Sequence, residues 1–92
     1  MEFGKRLRAA RIANIVTQQK MADTLGIQLR GYQKYESGHV EPSLNTLALI
    51  GEFLNVPIDW LLGRDEYLKS LGASFDAPKT DLPKHPRLKN RQ

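Results

Sequence analysis

Arg30, Gln33, Lys34 and Ser37 have the types and the spacing to grip a polyanion. At 100° per residue, the stretch QLRGYQKYES at 28–37 divides into two arcs. Leu29, Arg30, Gln33, Lys34 and Ser37 share one arc; Gln28, Gly31, Tyr32, Tyr35 and Glu36 share the other. The first arc holds two cations, an amide, a hydroxyl and one aliphatic side chain, and no carboxylate. That composition suits phosphate oxygens and base edges. It also suits the solvated outer face of an ordinary helix. Other chemistry is hard to build from this chain. There is no Ser/His/Asp or Cys/His set, no glycine-rich phosphate loop and no pair of carboxylates in a cleft-like context. Cysteine is absent, and His39 and His85 are isolated, so neither a metal site nor a cofactor site is expected and the chain does not read as an enzyme.

Two short helices must position that arc. Gln18 to Leu25 carries Met21, Ala22 and Leu25 on one side, with Thr17 as a good N-cap. Gly26 supplies a left-handed residue that ends this helix. Ile27 then drops into the crease, and Gln28 opens the second helix, which runs to about Ser37. Upstream, residues 2–13 read as a helix with a stripe of Phe3, Leu7 and Ala10. Arg11 lies one position past that stripe. Asn14 is expected to end the helix in the left-handed conformation, and Ile15 and Val16 to turn into the core.

Downstream, His39 to Pro42 reads as a loop and Ser43 as the cap of a helix. Its wide apolar face holds Leu44, Leu47, Ala48, Ile50, Gly51 and Leu54, with Phe53 on that face or at its edge. Asn55 ends it, and Val56 returns to the core. Pro57 fits the first turn of a short helix, Ile58 to Leu62. Asp65 is a candidate cap for one more short helix, Glu66 to Leu71, closed by Gly72. Residues 73–92 hold Pro78, Pro83 and Pro86 and little apolar content, and read as an extended basic tail. The organisation expected is therefore a domain over 1–72 and a tail over 73–92.

The formal net charge of +4 on 92 residues is unevenly spread. Residues 1–40 carry seven cations against three carboxylates, 41–75 two against five, and 76–92 five against two. The basic N-terminal stretch contains the candidate arc, as a reader of a polyanion requires. No apolar run reaches signal-peptide or membrane length, so a soluble, cytoplasmic protein with no membrane contact is expected.

Gln18, Ala22, Gly26, the apolar Ile27 and YESG at 35–38 together resemble the helix-turn-helix of phage repressor and Cro-like regulators, the XRE family. The likeness continues through EPSLNTLALIGEFLNV and PIDWLLG and covers roughly residues 3 to 63. It implies an all-α fold: a compact five-helix repressor-like DNA-binding domain, here with a short extra helix and the tail. It further implies double-stranded DNA as partner, read in the major groove by helix 28–37, and a homodimer on a palindromic operator. On that reading Arg30 and Lys34 contact bases, Leu29 meets a thymine methyl, and Gln33 reads a base or a phosphate. Gln18 and Gln28 begin the two motif helices and suit phosphate oxygens; Thr17, Ser37 and His39 are weaker candidates for the same task. The resemblance also implies a structural ion pair between Arg11 and Glu36, and the planar fork of an arginine suits a desolvated carboxylate.

Three positions depart from the family pattern. Tyr32 stands where Ile or Val is usual, Gln28 where Ser or Thr usually caps, and Gly31 lies inside the recognition helix. A small Gly31 making room for a bulky Tyr32 would explain two of them. The apolar excess at Trp60 to Leu62, with Tyr67, Leu68 and Leu71 at helical spacing, is expected to pair two protomers through the surface around Trp60 to Leu71; the alternative is that Tyr67, Leu68 and Leu71 fold back on their own core. The function that follows is a sequence-specific DNA-binding regulator acting as a repressor. The alternatives are an antitoxin of a toxin–antitoxin pair, its tail at 73–92 wrapping a protein partner, and an interaction module that has lost DNA binding.

Overall fold

The computed structural model describes residues 2–72, and the expected tail at 73–92 lies outside the described residues. Six helices follow one another: α1 (Phe3–Ala13), α2 (Gln18–Leu25), α3 (Leu29–Ser37), α4 (Leu44–Leu54), α5 (Ile58–Leu61) and α6 (Asp65–Ser70). The five-helix domain with an extra short helix is thus the observed architecture.

Local chemistry sets most of the boundaries. The Thr17 hydroxyl accepts from Lys20 N at 3.0 Å, and the Ser43 hydroxyl from Thr46 N at 3.2 Å, so each satisfies one of the orphan amides of a first helical turn. Gly26 takes φ 71°, and Ile27 N then donates back to Ala22 O at 3.0 Å, closing α2. Gln28 is the N-cap of α3, not its first helical residue, and its side chain makes no capping bond.

Phe3, Leu7 and Ala10 of α1, Met21 and Ala22 of α2, Tyr32 of α3, Ile50 and Leu54 of α4, and Trp60 and Leu61 of α5 form one core. Helix α1 packs on both α3 and α5, and α2 on both α3 and α4. Gly4 sets how close α1 comes to α3. A Cβ there would lie within 3.0 Å of the backbone oxygens of Tyr35 and Glu36, where no side chain could yield.

Several expectations need correcting. Asn14 stays in the helical region, and Ile15 takes the left-handed conformation instead, at φ 57°. The cause is tertiary. Asn14 is buried, and its Nδ2 donates to Ala10 O at 2.7 Å and to Leu54 O at 3.3 Å, which holds its backbone in place. The reversal then falls on the next residue, at a cost of about 1–3 kcal/mol for a β-branched side chain. Ile15 points outward, 60% exposed, and Val16 alone packs on the core.

Leu44, the first residue of α4, is 84% exposed and does not join the buried face of that helix. Asp65 is the first residue of α6 and not its cap; Arg64 occupies that place. Trp60 and Leu61 are buried, and Leu62 and Leu68 pack against the core, so most of the apolar excess there is absorbed within the chain. Tyr67 and Leu71 stay exposed. Gly31 does not make room for Tyr32: a Cβ there would meet nothing within 4 Å. Nothing in the structure explains the glycine.

Candidate nucleic-acid interface

Arg11 organises the site from beneath. Its Nε and Nη2 donate to Glu36 Oε2 and Oε1 at 2.5 and 3.3 Å, the bidentate geometry of a guanidinium on a carboxylate. Its Nη1 donates to Val16 O at 2.9 Å. One side chain on α1 therefore holds both the turn into α2 and the far end of α3. The expected Arg11–Glu36 pair is formed, with only 12% and 5% of the two side chains exposed.

Glu36 receives two more donors. Tyr32 Oη, one helical turn back on α3, donates to Oε2 at 2.5 Å, and Gln18 Nε2, at the start of α2, donates to Oε1 at 3.0 Å. Four hydrogen bonds thus cover the lone pairs of a carboxylate that has almost no water. Burial alone would push this carboxyl up. The bonds from Arg11, Tyr32 and Gln18 outweigh burial and hold it below its ordinary value. Burial and the neighbouring Glu36 drive the Tyr32 hydroxyl far above its ordinary value, offset only in part by Arg11. The Arg11 guanidinium is disfavoured by burial but raised on balance by Glu36. All three groups are locked in one state: carboxylate, phenol and guanidinium.

The outer arc of α3 rests on this base. Arg30, Gln33, Lys34 and Ser37 are exposed, as is Gln28 at the N-cap, while Leu29 is half-buried. Neither Arg30 nor Lys34 has an ion-pair partner among the described residues. The two cations are left to an external anion, with Glu36 turned inward and neutralised. Asp23, the nearest carboxylate on α2, is held by Gln19 Nε2 at 2.9 Å.

The other candidates separate into groups. Thr17 is exposed but its hydroxyl already caps α2. Ser37 Oγ donates to Lys34 O at 3.2 Å and lies 2.7 Å from His39 Nδ1, so these two residues act on each other at the C-terminal end of α3. Gln18 is the candidate most changed by the structure. Its amide donates to Glu36 and its Oε1 accepts from Gln33 Nε2 at 3.1 Å, so it is tied into the interior and not simply presented outward. Three contributors were missed by sequence reasoning: the Tyr32 hydroxyl, the Gln18–Gln33 bridge and Gly4. The first had a signal, since Tyr32 and Glu36 stand at i and i+4 on one helix face.

Comparison with known proteins returns a consistent group. The family model described as Helix-turn-helix matches residues 7–61. A prophage-derived uncharacterized HTH-type transcriptional regulator of Bacillus subtilis, YonR, is 45% identical over 74 residues, covering 80% of this chain and 63% of that protein. The cryptic phage CTXphi transcriptional repressor RstR of Vibrio cholerae is 44% identical over 64 residues, 70% of this chain and 57% of the relative. The HTH-type transcriptional regulator ImmR of Bacillus subtilis is 38% identical over 69 residues, 75% and 54% of the two chains. The chain thus spans only about half to two thirds of the length of these curated relatives. No solved structure matches the chain. No helix among the described residues is long and apolar enough to cross a membrane.

Proposed function

Because the chain belongs to the Helix-turn-helix family, we propose that it is a sequence-specific DNA-binding transcriptional regulator, acting as a repressor, that reads the major groove with α3. One observation carries this reading. The exposed arc of α3 offers Arg30, Gln33 and Lys34 with no carboxylate among them, and the buried Arg11–Glu36 pair fixes the helix that bears them. Arg30 and Lys34 take base edges, and the exposed Gln28 and Thr17 beside the helix starts take phosphates. The relative named as a repressor supports the direction of action.

The reading extends to a homodimer on a palindromic site, since one recognition helix covers too few base pairs for a useful operator. With Trp60 and Leu61 in the core, the large apolar side chains left exposed for a partner protomer are Ile15, Val40, Leu44, Leu49, Ile58, Tyr67 and Leu71. Leu44 borders a shallow groove of about 210 Å³ that is also lined by Phe3, Pro42, Leu47 and Leu62.

Selection of bound sequences from a random duplex pool tests the function. A two-fold symmetric consensus is expected, and Arg30→Ala should then lose about 1–3 kcal/mol of binding and relax one base position per half-site. Recovery of no consensus, or an Arg30→Ala protein that binds the consensus as tightly as wild type, would refute the assigned face. Sedimentation over a concentration series, with Leu44→Asp beside Leu71→Asp, tells which apolar side pairs the protomers.

A further inference from the structure

An ionised carboxylate accepts hydrogen bonds and never donates them, so an amide beside it must present N–H. Glu36 Oε1 therefore dictates that Gln18 donates through Nε2, at 3.0 Å, and turns the Gln18 oxygen away from the ion pair. That oxygen receives Gln33 Nε2 at 3.1 Å. Gln33 is compelled in turn to aim its nitrogen at Gln18. Its own Oε1 is left outward, on the exposed arc with Arg30 and Lys34. The orientation of a surface amide, ordinarily ambiguous, is here inherited from a buried charge through one intermediate residue.

We propose that this relay makes Gln33 a reader of adenine, with Gln18 as the residue that positions it. The proposal rests on the DNA-reading role assigned above to α3. Adenine shows the major groove an N6 amino donor beside the N7 acceptor. The outward Oε1 of Gln33 receives the amino group, and the Nε2 hydrogen not used by Gln18 is available to N7. Guanine offers two acceptors, O6 and N7, and would set an oxygen against an oxygen. A phosphate, all acceptor, could take only the free Nε2 hydrogen and would leave the outward Oε1 unpaired. The inherited orientation thus decides between the two roles open to Gln33, in favour of a base and of the base with a donor.

The test uses the full chain and a random pool of duplex DNA, with wild type, Gln33→Ala, Gln33→Glu and Gln18→Met selected in parallel. Single-substituted duplexes of the wild-type consensus are then titrated against each protein. Wild type should favour adenine at one position per half-site by roughly 5- to 150-fold. Gln33→Ala should flatten that position alone. Gln33→Glu should move its preference towards cytosine, whose N4 amine suits a bare acceptor. Gln18→Met keeps the aliphatic stem but removes both hydrogen bonds, so it should weaken the adenine preference while positions owed to Arg30 and Lys34 stay unchanged. A merely structural Gln18 would instead lower affinity equally at every position, and that result overturns the relay. So does a Gln33-dependent position that prefers guanine, or a consensus indifferent to Gln33→Ala. The two exposed-site variants keep the base-reading half decisive even if Gln18→Met does not fold. A wild type that selects no consensus is a separate outcome: it overturns the DNA-reading function itself, and the inference with it.

Discussion

Arg6 and Arg11 lie on the same helix, and each carries α1 to a distant carboxylate, yet the two pairs do opposite work. Arg11 meets Glu36 where both side chains have lost nearly all their water, and every acceptor position on the carboxylate is filled. Arg6 lies nearer solvent. It donates to Glu2 Oε1 at 3.1 Å, to Asp65 Oδ1 at 3.1 Å and to Trp60 O at 2.9 Å, and its guanidinium stands 5.0 Å from the centre of the Trp60 ring. Its carboxylate partners remain 66% and 41% exposed. The charges are alike; the geometry, bidentate on one carboxylate against single bonds to two, and the surrounding dielectric are not. A buried pair becomes a structural commitment because neither member tolerates losing the other. An exposed pair is screened and replaceable by water. The first holds α3, the helix proposed to read DNA, and the second fastens α6, which contributes no fully buried residue.

Removing one member of the buried pair should have the largest effect. Glu36→Ala leaves the Arg11 guanidinium uncompensated and frees the Tyr32 hydroxyl and the Gln18 amide, so unfolding by urea should show a loss of about 3–5 kcal/mol. Adding Arg11→Met should recover part of it, because the orphaned charge goes too. Strictly additive losses in that cycle would mean the two side chains are not energetically coupled. The pair also predicts the acid response. A carboxyl held below its ordinary value contributes stability that is fully present above that value. The contribution is lost as the pH falls through the lower, folded value, so the acid limb of the wild-type stability profile should shrink in the double variant to what Asp65 contributes.

How much of this contrast could be read beforehand varies by residue. The caps Thr17 and Ser43, the stop at Gly26 and the stripe of Phe3, Leu7 and Ala10 are local signals, and all of them are in the structure. The Arg11–Glu36 pair is implied by the family resemblance, and Glu36 stands on the arc of 28–37 opposite Arg30 and Lys34. The misses depend on contacts far away in sequence. Ile15 takes the strained conformation because Asn14 is anchored to Leu54 O, 40 residues away. Leu44 has the right type for the core and the right period, but it stands at the open rim of a groove beside Phe3 and Leu62 and stays 84% exposed. Gln18 looked like a phosphate ligand because helix starts attract anions; only the three-dimensional position of Glu36 shows that its amide is engaged inward. The assignment of Arg30, Gln33 and Lys34 to base contacts remains a proposal resting on their exposure and their shared face.

A smaller change sharpens the comparison within the buried cluster. Tyr32→Phe keeps the ring in the core and removes one of the four bonds to Glu36, while Arg11 and Gln18 still hold the carboxylate. A loss of about 1.5 kcal/mol is expected, the lower end for a hydrogen bond to a charged group. The pH dependence gives this variant its own signature. The folded state keeps the phenol protonated well above its ordinary value of about 10, so its contribution is fully present below that pH and declines as the pH rises past it. The stability gap between wild type and Tyr32→Phe should therefore narrow between pH 9 and 11. A gap that stays constant across that range would mean that the hydroxyl is not sequestered by Glu36.

The smallest effect should come from the exposed pair. Asp65→Asn keeps an oxygen for Arg6 to donate to and deletes only the charge. Arg6 retains Trp60 O, Glu2 and the face of the indole, so α1 still meets α5. The Asp65 carboxyl is held below its ordinary value first by its own backbone N–H and only afterwards by Arg6, so most of what favours its charge is local to the start of α6. An acidic residue in a first turn also complements the helix dipole, and asparagine forfeits that. The consequence should therefore be confined to α6. Its amides should exchange faster with solvent in Asp65→Asn, those of α3 should not change, and global unfolding should be indistinguishable from wild type at physiological salt. Any difference seen at low salt should vanish in 1 M salt, where the screening length is about 3 Å. If Asp65→Asn instead loosened α3 or lowered global stability as Glu36→Ala does, exposure would be no guide to what an arginine–carboxylate pair contributes here. The division of α1 into a committed end and a replaceable end would then fail.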